Sequence, residues 1–190
     1  MPLLGMVVIF HSGTTLTIMD KQLIRLIYLF VGFITLLLPL AFIPLLIQLK
    51  VIQSIEMNKS RERVIPYFLT FILYYTAHFL VGKLSINYYF AAYLFSASIL
   101  VLTLLIISYF WKMSTHMAGM GGLAGLVLSL SFEFRADLMY YLVLLLVISG
   151  ILASARLKLN SHTPAQIFWG FLTGIVIVPG IIHLMYAYRI

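Results

Sequence analysis

Six long apolar runs fill most of this chain, over residues 23–49, 64–81, 86–111, 117–132, 138–155 and 165–188. Apart from Arg25, charge is confined to short segments outside them. A helix needs about 20 consecutive apolar residues to cross a bilayer, and these runs approach or exceed that length. Only 9% of the residues are charged and 63% are hydrophobic. A soluble domain carries roughly 25% charge, so this chain has too little polar surface to cover itself with water. The expectation is an all-α integral membrane helical bundle, a single domain over 1–190, multi-pass in a cell membrane of the bacterial inner-membrane type. Pro39 and Pro44 mark expected kinks in the first run. With no cysteine, disulfide, iron–sulfur and thiolate chemistry are excluded. The net charge of +7 suits anionic headgroups. No nucleic-acid module is present, and the basic residues are scattered rather than massed.

Residues 1–10 are apolar but too few to cross alone, and extension to Ile18 passes through the polar His11-Ser12-Gly13-Thr14-Thr15. The segment has neither a basic leader nor a small-residue cleavage site, so it is not read as a signal peptide. It reads as a short or half-buried seventh helix, with a re-entrant or surface segment as the alternative.

Alternate connections between spans lie on the same side of a membrane. The first, third and fifth connections hold three polar islands: Lys59-Ser60-Arg61-Glu62-Arg63 before Pro66, Lys112-Met113-Ser114-Thr115-His116, and Arg156 through His162. Parity therefore assigns all three to one face. That face carries Lys50, Lys59, Arg61, Arg63, Lys112, Arg156 and Lys158, while Lys21, Arg25, Lys83, Arg135 and Arg189 fall on the other. Basic residues mark cytoplasmic loops, but seven cations against five leave the orientation open.

The third island precedes a helix whose first turn holds Pro164, with Asn160, Ser161 or Thr163 available as cap. His162 then stands at a helix N-terminus, where free N–H groups and the helix dipole attract anions. Gln166 lies one turn on, on the same face. Its amide oxygen can accept one ring N–H and fix the tautomer, leaving the other nitrogen free to attack phosphorus. In the second island Ser114 or Thr115 is a candidate N-cap and His116 opens the helix. The glycine pairs Gly121/Gly125 and Gly170/Gly174 have the spacing of close helix packing, which would draw the two helix starts together. The first island supplies Arg61, Arg63 and Lys59 for phosphate oxygens.

Each feature also has a plainer reading. Basic residues at helix ends commonly reach to headgroups, a histidine at a helix start is often a cap, and glycines in membrane helices usually serve packing. The convergence of three islands on one face is what favours a site.

These residues resemble the membrane-bound type 2 phosphatidic acid phosphatases, whose motifs are K-x6-R-P, P-S-G-H and S-R-x5-H-x3-D. The third is nearly matched by Arg156, His162 and Gln166. The second survives in Ser114-Thr115-His116, with Met113 and Thr115 where the family has proline and glycine. The first is loosest, with Lys59, Arg61 and Arg63 before Pro66 but Ile65 where the family has arginine. The likeness runs over about residues 50–180. It implies that His162 is a nucleophile forming a phosphohistidine and that His116 is the general acid. Arg156, Lys59, Arg61, Arg63 and Ser114 would hold the phosphate, with no cofactor and no metal. The implied substrate is a lipid phosphate or diphosphate, such as phosphatidic acid, phosphatidylglycerophosphate, a polyprenyl diphosphate or a lipid A phosphate.

The chief departure is Gln166, which stands where the family has aspartate and can orient His162 without neutralising its cation. Glu62 is the nearest alternative acid. A second hypothesis is therefore a weak or inactive relative that binds an anionic lipid or serves a membrane complex. A third, a small transporter component, would rest on His78, the one ionisable residue deep in a span. The plainer reading of His78 is a neutral ring hydrogen-bonded to a tyrosine of a neighbouring helix. The oligomeric state is not legible.

Overall fold

The structure, a computed structural model, describes residues 1–54, 57, 60–84 and 86–188. Lys59, Glu56 and Arg189 lie outside these described residues. Among the described residues there are helices and no strands. Six helical segments are long and apolar enough to cross a membrane.

Helix α1 spans Pro2–His11. A short 3₁₀ turn, Thr15–Thr17, leads to α2, Lys21–Gly32, which Asp20 caps by accepting from the backbone N–H of Gln22. Helix α3, Leu38–Gln48, continues the same rod. Between them, Phe33–Leu37 forms a π turn, in which the N–H of Leu38 reaches back to the carbonyl of Phe33. The irregularity precedes Pro39 rather than centring on it. Proline has no N–H to offer the carbonyl one turn back, and the register widens there.

Four further helices follow: α4 Val64–Gly82, entered through a 3₁₀ turn at Ser60–Arg63, α5 Tyr88–Ser108, α6 Thr115–Phe134 and α7 Met139–Lys158. Helix α8, Pro164–Tyr188, ends the bundle. Asn87 caps α5 through the N–H of Tyr89. The boundaries agree with the apolar runs to within a few residues, because each run ends where a polar island begins.

Helix α6 is the most buried, followed by α5, and α7 is the least. The α6–α8 pair is the closest in the bundle. A Cβ on Gly174 would stand 2.1 Å from the carbonyl oxygen of Ala118, and one on Gly121 would stand 2.0 Å from that of Phe171. Only glycine permits backbones to approach so closely. The paired glycines thus bring the starts of α6 and α8 side by side.

Helix α1 is a seventh helix too short to cross a bilayer, and it is inserted into the bundle. Met6 and Ile9 are fully buried, and Phe10 packs on Phe90 and Tyr28. Tyr93 donates to the carbonyl of Met1 at 3.2 Å, and Tyr141 to that of His11 at 3.0 Å. On the outside, Leu26, Leu29, Phe33, Leu37, Val143, Val147 and Ile151 are all more than half exposed. So much outward apolar surface is foreign to a monomer in water.

Candidate functional site

The three polar islands meet at one end of the bundle, tied by bonds between segments about 50 residues apart. Arg63 is buried, and its Nη1 donates to the carbonyl of Met113 at 3.1 Å while its Nε donates to that of Met57 at 3.3 Å. Ser60 donates to the carbonyl of Ser108, and the Tyr67 and Thr115 hydroxyls are hydrogen-bonded. The backbone N–H of Ser114 donates to the carbonyl of Gln166 at 3.2 Å. This last bond, with Gly170 lying against the carbonyl of Ser114, joins the second island directly to the third.

At the start of α8, Thr163 is the cap. Its hydroxyl accepts from the N–H of Gln166 at 3.4 Å, and Gln166 Oε1 accepts from the N–H of Thr163 at 3.2 Å. This reciprocal pair is a capping box. It also orients the glutamine amide, because a backbone N–H can face only the oxygen. The same Oε1 lies 2.9 Å from Nδ1 of His162, so Nδ1 carries the proton and donates. Neutral His162 then bears its lone pair on Nε2.

The electrostatics favour that neutral form. Burial pushes the His162 pKa down, the bond to Gln166 opposes this, and the positive charges of Arg63, Lys112 and Arg156 push it down further. His116, exposed in the first turn of α6, lies within the fields of Arg156, His162 and Arg63. The two histidines and these cations therefore share one basic end of the bundle.

The candidate phosphate-binding residues differ in what they are free to do. Arg156 is half-buried on the last turn of α7, and no hydrogen-bond or ion-pair acceptor holds it among the described residues. Arg61 is exposed. Arg63 spends two donors on backbone carbonyls, so it braces the loop before α6 as well as contributing charge. Ser114 is fully buried, and its hydroxyl has no partner among the described residues. Glu62 makes no described bond to His162, whose partner is the amide of Gln166. Lys59 falls outside the described residues.

Lys112 belongs to the cation set as well, through its charge on His162, although its spacing matches no motif position. The bracing by Arg63 and the Tyr67–Thr115 bond had no signal in the sequence, because each joins distant segments. Away from the site, His78 bonds to the carbonyl of Ala91 at 2.8 Å rather than to a tyrosine. The tyrosine beside it, Tyr75, is on its own helix and touches it ring to ring. Among the described residues no cluster of three or more His, Cys, Asp or Glu side chains has the arrangement of a metal site.

Chemically, the arrangement offers a ring nitrogen of fixed tautomer, a second imidazole and several cations beside a capped helix start. That is a set suited to an anion. Compared with family models, curated proteins and solved structures, the chain finds no match in any of the three.

Proposed function

We propose that the chain is an integral membrane protein that hydrolyses a lipid phosphate or diphosphate through a phosphohistidine. The observation that carries this reading is the His162–Gln166 bond, which leaves Nε2 of His162 unprotonated among Arg156, Lys112 and His116. The apolar exterior and the six helices of spanning length support placement in a bilayer. A lipid headgroup would then meet the basic end while its chains stay among the outer helices.

In the first step Nε2 of His162 attacks phosphorus as the bond from phosphorus to the lipid oxygen breaks. A protonated His116 gives its proton to that oxygen, which leaves as an alcohol, or as a phosphate when the substrate is a diphosphate. The phosphorylated ring carries a positive charge, and Gln166 accepts its remaining N–H. Water then attacks phosphorus, His116 takes a proton from that water, and the P–N bond breaks to return neutral His162. Arg156 and Arg61 would hold the nonbridging oxygens, and the charges of Arg63 and Lys112 would favour the developing anion. A carboxylate behind the nucleophile would stabilise its cation; an amide does not. In a serine-protease triad the matching change from acid to amide costs about 10⁴ in rate.

Gln166 is therefore also the observation that favours a second reading, a weak or inactive relative that binds anionic lipid. The two separate in one assay: release of phosphate from phosphatidic acid in mixed micelles, by wild type, His162→Ala and His116→Ala. Release by the wild type alone, with an acid-labile phosphoprotein trapped in it, supports catalysis. Binding that depends on Arg156 without any release supports the second reading. Equal release by all three proteins defeats the phosphatase reading.

A further inference from the structure

At the end of the bundle away from His162, α4 and α8 stand apart over α5. The gap is an open groove of about 570 Å³, within the range of about 300–1,000 Å³ common for small-molecule sites. Phe95 contributes to it from α5, and Ile181, Leu184 and Met185 from α8. Two of the groups lining it have chemistry of interest. Lys83, just past the end of α4, is exposed at the rim with its Nζ 4.3 Å from the centre of the Phe79 ring. His78 lies deeper on the same helix, about 7.5 Å below at ~1.5 Å per residue. No carboxylate lines the groove.

The bonding of His78 restricts what it can recognise. Its Nδ1 is 2.8 Å from the carbonyl oxygen of Ala91, and a carbonyl only accepts. Nδ1 is therefore the protonated nitrogen of the neutral ring, and Nε2 is left as an acceptor. The ring is held by Tyr75 and Phe95, at centroid distances of 5.7 and 5.0 Å. The groove thus offers a cation at its rim and a hydrogen-bond acceptor deeper on α4, flanked by the apolar side chains of Phe95, Ile181 and Leu184.

We propose that this groove binds an anionic lysophospholipid. Its phosphate lies on Lys83, its free glycerol hydroxyl donates to Nε2 of His78, and its single acyl chain runs over Phe95 between α4 and α8. The ligand's phosphate, hydroxyl and chain answer the cation, the acceptor and the apolar lining of the groove. A diacyl phospholipid has esters at both glycerol positions and offers no donor at the depth of His78. This inference shares the bilayer placement with the phosphatase reading but needs no catalysis, and the two sites lie at opposite ends of α4.

The test is native mass spectrometry of the full chain released from detergent, titrated with palmitoyl lysophosphatidylglycerol and, separately, with dipalmitoyl phosphatidylglycerol. The wild type is expected to retain one lysolipid and to bind the diacyl lipid more weakly. Lys83→Gln should weaken lysolipid binding about tenfold or more, the scale of one charge-assisted hydrogen bond. His78→Phe keeps the ring contacts and should abolish the preference for lysolipid. Gly82→Leu should block the groove and still fold, since a Cβ there meets only the Cβ of Ala91 at 3.7 Å. His162→Ala should bind lysolipid as the wild type does, which separates this site from the phosphate site. Equal affinity in wild type, Lys83→Gln and Gly82→Leu, or equal affinity of wild type for both lipids, overturns the proposal.

Discussion

Gly174 faces the carbonyl oxygen of Ala118 so closely that an added Cβ would stand 2.1 Å from it. The obstacle is backbone, so a side chain cannot simply swing away. Gly174→Ala should force α6 and α8 apart and cost about 1–3 kcal/mol or more, as overpacked cores do. Gly150→Ala is the matched control, because nothing lies within 4 Å of a Cβ there. It should be neutral or slightly stabilising. Denaturant or thermal unfolding in one detergent compares the two.

The His162–Gln166 bond gives a pH prediction. Burial and the charges of Arg63, Lys112 and Arg156 lower the His162 pKa against the opposing bond to Gln166. The neutral nucleophile therefore persists as pH falls through the ordinary histidine value of about 6.5, and the acid-side decline in phosphate release should begin only below that, separate from the alkaline decline as His116 loses its proton. Gln166→Asp puts a carboxylate at Nδ1, favours the imidazolium and raises the pKa. Its acid limb should move to higher pH, with a higher plateau rate from the stabilised cation. A pH–rate profile of the two proteins measures this. The same sign governs folding: the unfolded chain takes up the proton first, so this residue's contribution to stability declines as pH drops below about 6.5.

Arg63 and Arg156 should separate stability from binding. Arg63→Leu orphans the carbonyls of Met57 and Met113, a loss of about 1–3 kcal/mol. Arg156 has no described acceptor, so Arg156→Leu should change stability by no more than ~0.5 kcal/mol while weakening anion binding. Thermal shifts with and without inorganic phosphate report both quantities.

Ser114→Ala removes a fully buried hydroxyl that has no partner among the described residues. Leaving such a group unsatisfied costs about 1–3 kcal/mol, so the variant should melt higher than wild type. A lower melting temperature would mean that the hydroxyl is bonded in solution.

The polar islands, helix boundaries and glycine pairing were legible because each is local. Pro164 and Thr163 set the start of α8, and a spacing of four residues put Gln166 within reach of His162, which stands just before the cap rather than on the helix itself. Arg63 shows where such reasoning stops. As a sequence feature it was one of three cations before Pro66; in the fold it is buried and holds Met113. His78 is similar, since its partner is a backbone carbonyl on α5 and no side-chain pattern announces it.

By itself, then, the sequence determined that the chain makes long apolar helices in this order, with its histidines and cations at their ends. Apolar run length and helical spacing are properties of neighbouring residues, so they can be read along the chain. Only the tertiary structure decided that α1 enters the bundle, that Arg63 braces the loop before α6, and that α4 and α8 part over α5 to leave a groove. Those outcomes depend on how one helix is rotated and shifted against another. Burial of apolar surface is non-directional and leaves that choice open, so it falls to close packing and to bonds between distant segments.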